Sequence, residues 1–465
     1  MKHLTKISTA VAMALVSSQA FSGDTATQYQ YGTSNNATID QVSFVGDGRS
    51  AYQYQSGNEN KASAVQGGIS QRSTQRQAGS KNTVSASQHG RANQSTQRQD
   101  GWVKRGTRYT YHGPSSNSTS TTSQIGVENS SETYQSGDRN NARTTQRGTK
   151  NSSTITQIGR LNTATVLQPT SYNTANVNQN GVGNNAYTEQ YGTRNTSTTN
   201  QSGTGNRSRI YQHGSLSSAN VSQSGTTNDS FIHQHGLSNA ASTSQSGLSN
   251  RSSTNQFGNN LSASVRQSGT SNGSSISQYG NKNASSVTQS GSYNSSNINQ
   301  RNNDNRATVS QRGISNRSNV NQTRAIASSA SVNQIGNSNA SDINQIGTGN
   351  SASAQVGYYN GAYGYVGNAN NSDIDQVGDG NIASTLVYRG DRNKAKIAQS
   401  GNGNRASATQ NGNDNESTIT QTGHANIAYT SQSGTANKAT VSQTQSGDYA
   451  SINQSGVANI ASIMQ

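Results

Sequence analysis

A chain of 465 residues that is 27% hydrophobic, 5% aromatic and 11% charged has too little apolar side chain for the roughly three conventional domains its length would accommodate. It has no cysteine to staple it, and its net charge of +15 favours acidic partners such as anionic polysaccharide or a cell surface. Composition alone predicts disorder or Gln/Asn-rich low complexity, but neither keeps a fixed spacing, and this chain does.

At the N-terminus, Lys2 and Lys6 precede an apolar run from Ile7 to Val16 and then small residues. This is the pattern of a secretory signal peptide over residues 1–20, cleaved after Ala20 or alternatively after Ser22, and it predicts a secreted protein. The run is too short to span a membrane, and no later stretch qualifies. Residues 21–29 read as a short tail. From Gln30 to Gln465 the chain counts in elevens.

The count is clearest between Gln124 and Gln322, where eighteen consecutive units each open with glutamine. With that glutamine as position 0, position 2 is glycine and position 5 asparagine in sixteen units; position 7 is always Ala or Ser and position 9 always Val, Ile or Thr. Positions 5, 7, 9 and the next 0 alternate, as the inward face of a strand must. Every Lys, Arg, Asp and Glu of these units falls at positions 1, 3, 4, 6, 8 or 10, which keeps unpaired charge out of the interior. The spacing predicts a strand of about seven residues followed by an arc of about four, with the glycine supplying positive φ in the arc. Asn302, in place of one glycine, suits the same conformation.

Two strands and two arcs make a coil of 22 residues; a three-sided coil of 33 is the alternative, and Ala/Ser at position 7 favours the thinner, two-sheet interior. Residues 22 apart then stack at about 4.8 Å, amide on amide, as hydrogen-bonded ladders. The ladder residues include Gln201, Gln212, Gln223, Gln234, Gln245, Gln256, Gln267 and Gln278, with Asn206, Asn228, Asn239, Asn250, Asn272 and Asn283. The turn glycines are Gly203, Gly214, Gly225, Gly236, Gly247, Gly258, Gly269 and Gly280. The expected fold is an all-β solenoid of 19 or 20 coils, roughly 90–95 Å long.

Irregular insertions fall near 99–124, 322–334, 345–365 and 376–388, with a smaller slip at 41–44. The segment "DGWVKRGTRYTYHGPSSN" holds the only tryptophan and is expected to bulge out as a loop. The repeat runs to Gln465 with no polar cap after it, whereas monomeric solenoids are capped.

The unit Q-x-G-x-x-N-x-[AS]-x-x-x-Q, as in "QSGDRNNARTTQ", "QIGNSNASDINQ" and "QNGVGNNAYTEQ", closely resembles the curlin repeat of curli, the secreted bacterial functional amyloid. The resemblance covers about residues 30–465. It implies a β-solenoid subunit that self-associates into extracellular fibres, with curli-type secretion and nucleation proteins as partners and roles in adhesion and biofilm matrix. It also implies that columns such as Gln223/Gln245/Gln267 and Asn228/Asn250/Asn272 support templated polymerisation. The chain departs from ordinary curlin subunits in having several times more repeats, and a glycine in nearly every one.

No enzyme signature or cofactor site stands out. "GVGNNA" at 181–186 lies in a repeat turn, and the seven histidines lack any ligand spacing. His213 and His235, at position 1, are expected to be exposed. Basic residues are spread too thinly for sequence-specific nucleic-acid binding. Tyr134, Tyr187, Tyr191, Tyr211 and Tyr279 all fall at outward positions. The leading expectation is a fibre subunit; the alternative is a monomeric solenoid adhesin that binds anionic polysaccharide or a cell surface.

Overall fold

The computed structural model describes residues 23–42, 48–105, 108–360 and 364–465; the expected signal peptide, residues 1–20, lies outside them. The described residues contain strands and no helix. The chain winds as a parallel β-solenoid of about 19 turns. Successive strands go alternately to two sheets, so each strand pairs with the next-but-one. Thr196–Thr204 in the first sheet lies between Thr174–Val182 and Ser218–Thr226, with Gln179, Gln201 and Gln223 aligned. In the second sheet Arg207–Gln212 lies between Asn185–Gln190 and Asp229–His235. The 22-residue, two-sheet coil is therefore the observed one. The first strand, Thr25–Thr33, already pairs with Ser50–Asn58, so the solenoid begins within the stretch read as a tail.

The turn differs from expectation. Regular strands such as Thr196–Thr204 have nine residues, and run from position 6 through position 3 of the following unit. Only positions 4 and 5 reverse the chain. Position 4 takes the left-handed conformation and is seldom glycine: Thr227, Ser238 and Ser249 have φ of 53°, 57° and 56°. The position-2 glycine lies inside the strand. Gly225 has φ +102°, and a Cβ there would stand 2.2 Å from the carbonyl oxygen of Gly247 in the next coil. Glycine is thus required by the approach of stacked backbones as well as by φ. Gly214 needs it for the approach alone, with its Cβ site 1.7 Å from the Gly236 oxygen and no positive φ. Asn302 does adopt φ 71°.

Positions 7 and 9 fill the interior. From Ala263 to Ile452 the buried Ala, Val and Ile side chains form one continuous cluster. At several coils a position-9 threonine hydroxyl meets a position-7 serine across the core, as in Thr199 with Ser208 at 3.2 Å, whereas the Thr188 and Thr254 hydroxyls are buried without a partner. The first coils are built differently: position 9 of the first sheet is Gln28, Gln53, Gln75 and Gln97, while the second sheet narrows to Ala64 and Ala86.

The irregular stretches leave the coil count intact. After Gln99 the chain forms an antiparallel hairpin, Trp102–Arg105 with Arg108–Tyr111, where the sequence predicts a loop. It rejoins the first sheet at Ser115–Ser116, between Gly79–Ser80 and Gly137–Asp138. The hairpin lies against strand Ser130–Asp138, and Tyr134, outward-pointing but covered, is only 2% exposed. A second hairpin pairs Tyr358–Asn360 with Gly364–Val366, and single-residue irregularities fall between Gln322 and Ala325 and between Val387 and Arg389. Val356 and Val387 then occupy glutamine's place in the first sheet, between Gln334 and Gln410.

Candidate functional site: amide ladders and open coil faces

The glutamine columns are continuous hydrogen-bonded chains. In the first sheet Gln201 Nε2 donates to Gln223 Oε1, Gln223 to Gln245 and Gln245 to Gln267, each at 2.8 Å. In the second, Gln212, Gln234, Gln256 and Gln278 are linked at 2.9 Å. Each Nε2 also donates to a backbone carbonyl 16 residues earlier, as Gln223 does to Arg207 at 2.8 Å. That residue belongs to the other sheet, so every glutamine ties the two sheets together at their edge. The repeat spacing carries the ladder but gives no signal for this second bond.

The asparagines bond in the opposite sense. The backbone N–H of Asn228 donates to Asn206 Oδ1 at 3.1 Å, Asn250 to Asn228 at 3.0 Å and Asn272 to Asn250 at 3.1 Å. Each Nδ2 reaches forward to a turn glycine, as Asn228 does to the Gly247 oxygen at 3.1 Å. Asn239 and Asn283 are placed in the other column, where Leu261 separates them; the Leu261 N–H still donates to Asn239 Oδ1 at 2.9 Å. Turn glycines Gly203, Gly236, Gly247, Gly258, Gly269 and Gly280 all approach the next coil as Gly225 does.

Charge enters the asparagine columns only near the ends. Asp24, Arg49 and Asp448 stand at position 5 on the same corner of the solenoid, before the strands of the first sheet. Arg49 is 3% exposed and binds Asp24 through its backbone N–H at 3.0 Å and Nε at 3.1 Å, and through Nη2. These bonds hold the Asp24 carboxyl below the usual carboxylate range. Arg49 Nη1 and Asp448 Oδ2 are buried atoms with no hydrogen-bond partner.

The outer face of the second sheet carries a run of rings. Tyr187, Tyr211, His213, His233, Phe257 and Tyr279 follow one another at 5.1–5.7 Å or 6.2–6.3 Å between ring centres, joined by Phe231 and Tyr191. His213 and His235 are exposed, as the register predicts. Burial, then the nearby His213 and His235, lower the His233 pKa; burial and the Glu189 carboxylate raise that of Tyr187. Among the described residues no group of three or more His, Cys, Asp or Glu is placed to hold a metal.

A family model described as the curlin associated repeat matches residues 137–169, 192–225, 258–291, 269–301, 390–423 and 412–444. These six stretches are curlin repeats. No curated protein matches it over its length or any part. The six curlin matches fall in both halves of the chain, in regular coils, and none includes the hairpin at 102–111. The matched stretches include ladder glutamines, asparagines and close-approach glycines, among them Gln201, Gln212, Gln223, Asn206 and Gly203.

Proposed function

We propose that the chain is a structural subunit of an extracellular, curli-like fibre, exported from the cell and acting in adhesion, aggregation and biofilm matrix. The curlin repeat and the solenoid are structural rather than enzymatic classes, and self-association is the activity they support. The observation that carries the reading is the pair of open coil faces. Among the described residues, strand Thr25–Thr33 pairs on one side only, with Ser50–Asn58, and Ile460–Met464 on one side only, with Lys438–Gln443. Unpaired strand edges invite another chain, and contact between unlike ends does not close, so it yields filaments. Curli-type secretion and nucleation proteins are the further partners this reading calls for.

Electron microscopy of the purified chain lacking residues 1–20 tests it. Fibres are expected after a lag that preformed seeds shorten, with a cross-β spacing near ~4.7–4.8 Å. A chain that stays monomeric for days at micromolar concentration refutes the fibre reading. A surface adhesin binding anionic polysaccharide would take its place, with the ring-bearing face of the second sheet as the first region to map.

A further inference from the structure

The two amide ladders run in opposite directions, and this makes the two open faces complementary. Glutamine amides donate toward the C-terminal end: Gln443 donates to Gln465, and beyond Gln454 no later coil follows among the described residues. Asparagine-column N–H groups donate toward the N-terminal end, as Asn459 does to Asn437. The C-terminal face therefore presents glutamine donors at Gln454 and Gln465, and acceptors at Asn459 and Asp448. The N-terminal face presents acceptors at Gln30 and Gln41, and N–H donors at Asn35 and Asp24. A second copy fits head to tail; face to like face, donors would meet donors.

Resting on the fibre reading, we infer that the joint is locked by a charge contact in which the Arg49 guanidinium of one copy reaches back to serve both its own Asp24 and Asp448 of the preceding copy. All three residues occupy position 5 on one corner of the coil, a column otherwise made of uncharged residues such as Gln71, Asn93 and Asn426. In-register stacking places Asp448 next to Asp24, one rise of about 4.8 Å away, and Arg49 one rise further. Two adjacent carboxylates with no cation would repel. Arg49 already reaches back toward that face to bind Asp24, and its Nη1 is buried and unpartnered; at the other face Asp448 Oδ2 is the same. Each end supplies what the other lacks. The neighbouring Gln28 column meets Ile452 at this joint, so the joint matches in charge and ladder direction but not in every interior column.

The test is a double-mutant cycle on seeded elongation of the chain lacking residues 1–20. Both substitutions suit the column, because Gln71 and Asn426 hold the same place in neighbouring coils. Arg49→Gln should slow elongation about tenfold or more, since it leaves two carboxylates facing each other without a cation. Asp448→Asn alone should slow it about threefold, and adding Asp448→Asn to Arg49→Gln should restore the rate to within about threefold of the starting chain. Within one chain the two residues are about 82 Å apart, seventeen rises, so rescue can arise only across a joint. If the effects simply multiply while fibres form normally, the contact is wrong and the fibre reading stands. If the unsubstituted chain forms no fibres, both fall. Should Arg49→Gln fail to fold, Asp448→Asn at the far end decides alone, and an unchanged rate overturns the contact.

Discussion

The first four coils and the coils after Ala263 share one backbone path yet are filled by different chemistry. In the early coils two glutamine columns run side by side in the first sheet. Gln30, Gln55, Gln77 and Gln99 hold position 0, and Gln28, Gln53, Gln75 and Gln97 hold position 9. The later coils keep one glutamine column per sheet, beside a continuous stack of Ala, Val and Ile. The difference teaches what each filling tolerates. An apolar stack needs only shape, whereas a gap in the later glutamine column leaves a mark: Val356 and Val387 stand in place of glutamine, Gln334 turns to Ser341 at 3.1 Å, and Gln410 Oε1 is buried without a partner. A buried amide ladder needs a partner at every rung, because an unpaired buried donor or acceptor carries its full desolvation cost. Where the doubled ladder ends, Gln97 is taken up by Ser120 and Thr122 of the opposite sheet at 3.0 and 3.3 Å.

The largest effect should come from placing a charge in the apolar stack. Ile276→Lys, at a fully buried position 9, should cost more than about 4 kcal/mol, because its ammonium has no partner there. Ser277→Lys, one residue on and facing out, should be near neutral by denaturant unfolding. Equal losses would break the inside–outside register that defines both regions.

A middle-sized effect separates the two fillings directly. Gln75→Leu strands the Gln53 amide and the Gln97 carbonyl, and should cost about 2–4 kcal/mol although leucine is the more apolar residue. Ile276→Val in the later coils should cost only about 1 kcal/mol. Hydrogen exchange of the flanking strands checks both, and a stabilising Gln75→Leu would show that the early ladder is mere filler.

The smallest effect is acid sensitivity confined to one end. Asp24 has a depressed pKa in the folded chain, so its contribution is fully present above the ordinary carboxylate pKa and is lost as pH falls through the lower, folded value. Amides of Thr25–Thr33 should therefore lose protection in strong acid before those of Tyr449–Val457, where the equivalent carboxylate, Asp448, has an unpartnered Oδ2 and so no bond of this kind to lose there. Simultaneous loss at both ends would remove the Arg49–Asp24 bond as the cause.

Most of the coil is legible in the sequence, because its inward columns are chemically exclusive. Charge never enters position 9 between Gln124 and Gln322, and β-branched residues fill it, which is enough to set strand, face and period. The ladder follows from the 22-residue stack. The left-handed residue at position 4 is not legible, because one such residue is a modest strain that Ser238, Lys282 and Tyr293 all accept without leaving a compositional trace. Nor is the burial of Tyr134, since its register says only that it leaves the core, and a hairpin inserted elsewhere in the chain covers it. The glycine column is visible, but its reason is misread when only one coil is considered, since the clash it avoids is with the next coil.

The central claim is that coils continue unbroken from one copy to the next, and the hairpin at 102–111 marks each copy. Cryo-electron microscopy of the fibres tests it most directly. The account predicts layers about 4.8 Å apart running through every joint, with one hairpin recurring on the same face about every 91 Å, nineteen rises. Fibres in which whole solenoids lie side by side, or in which the layer spacing is interrupted between copies, would contradict it.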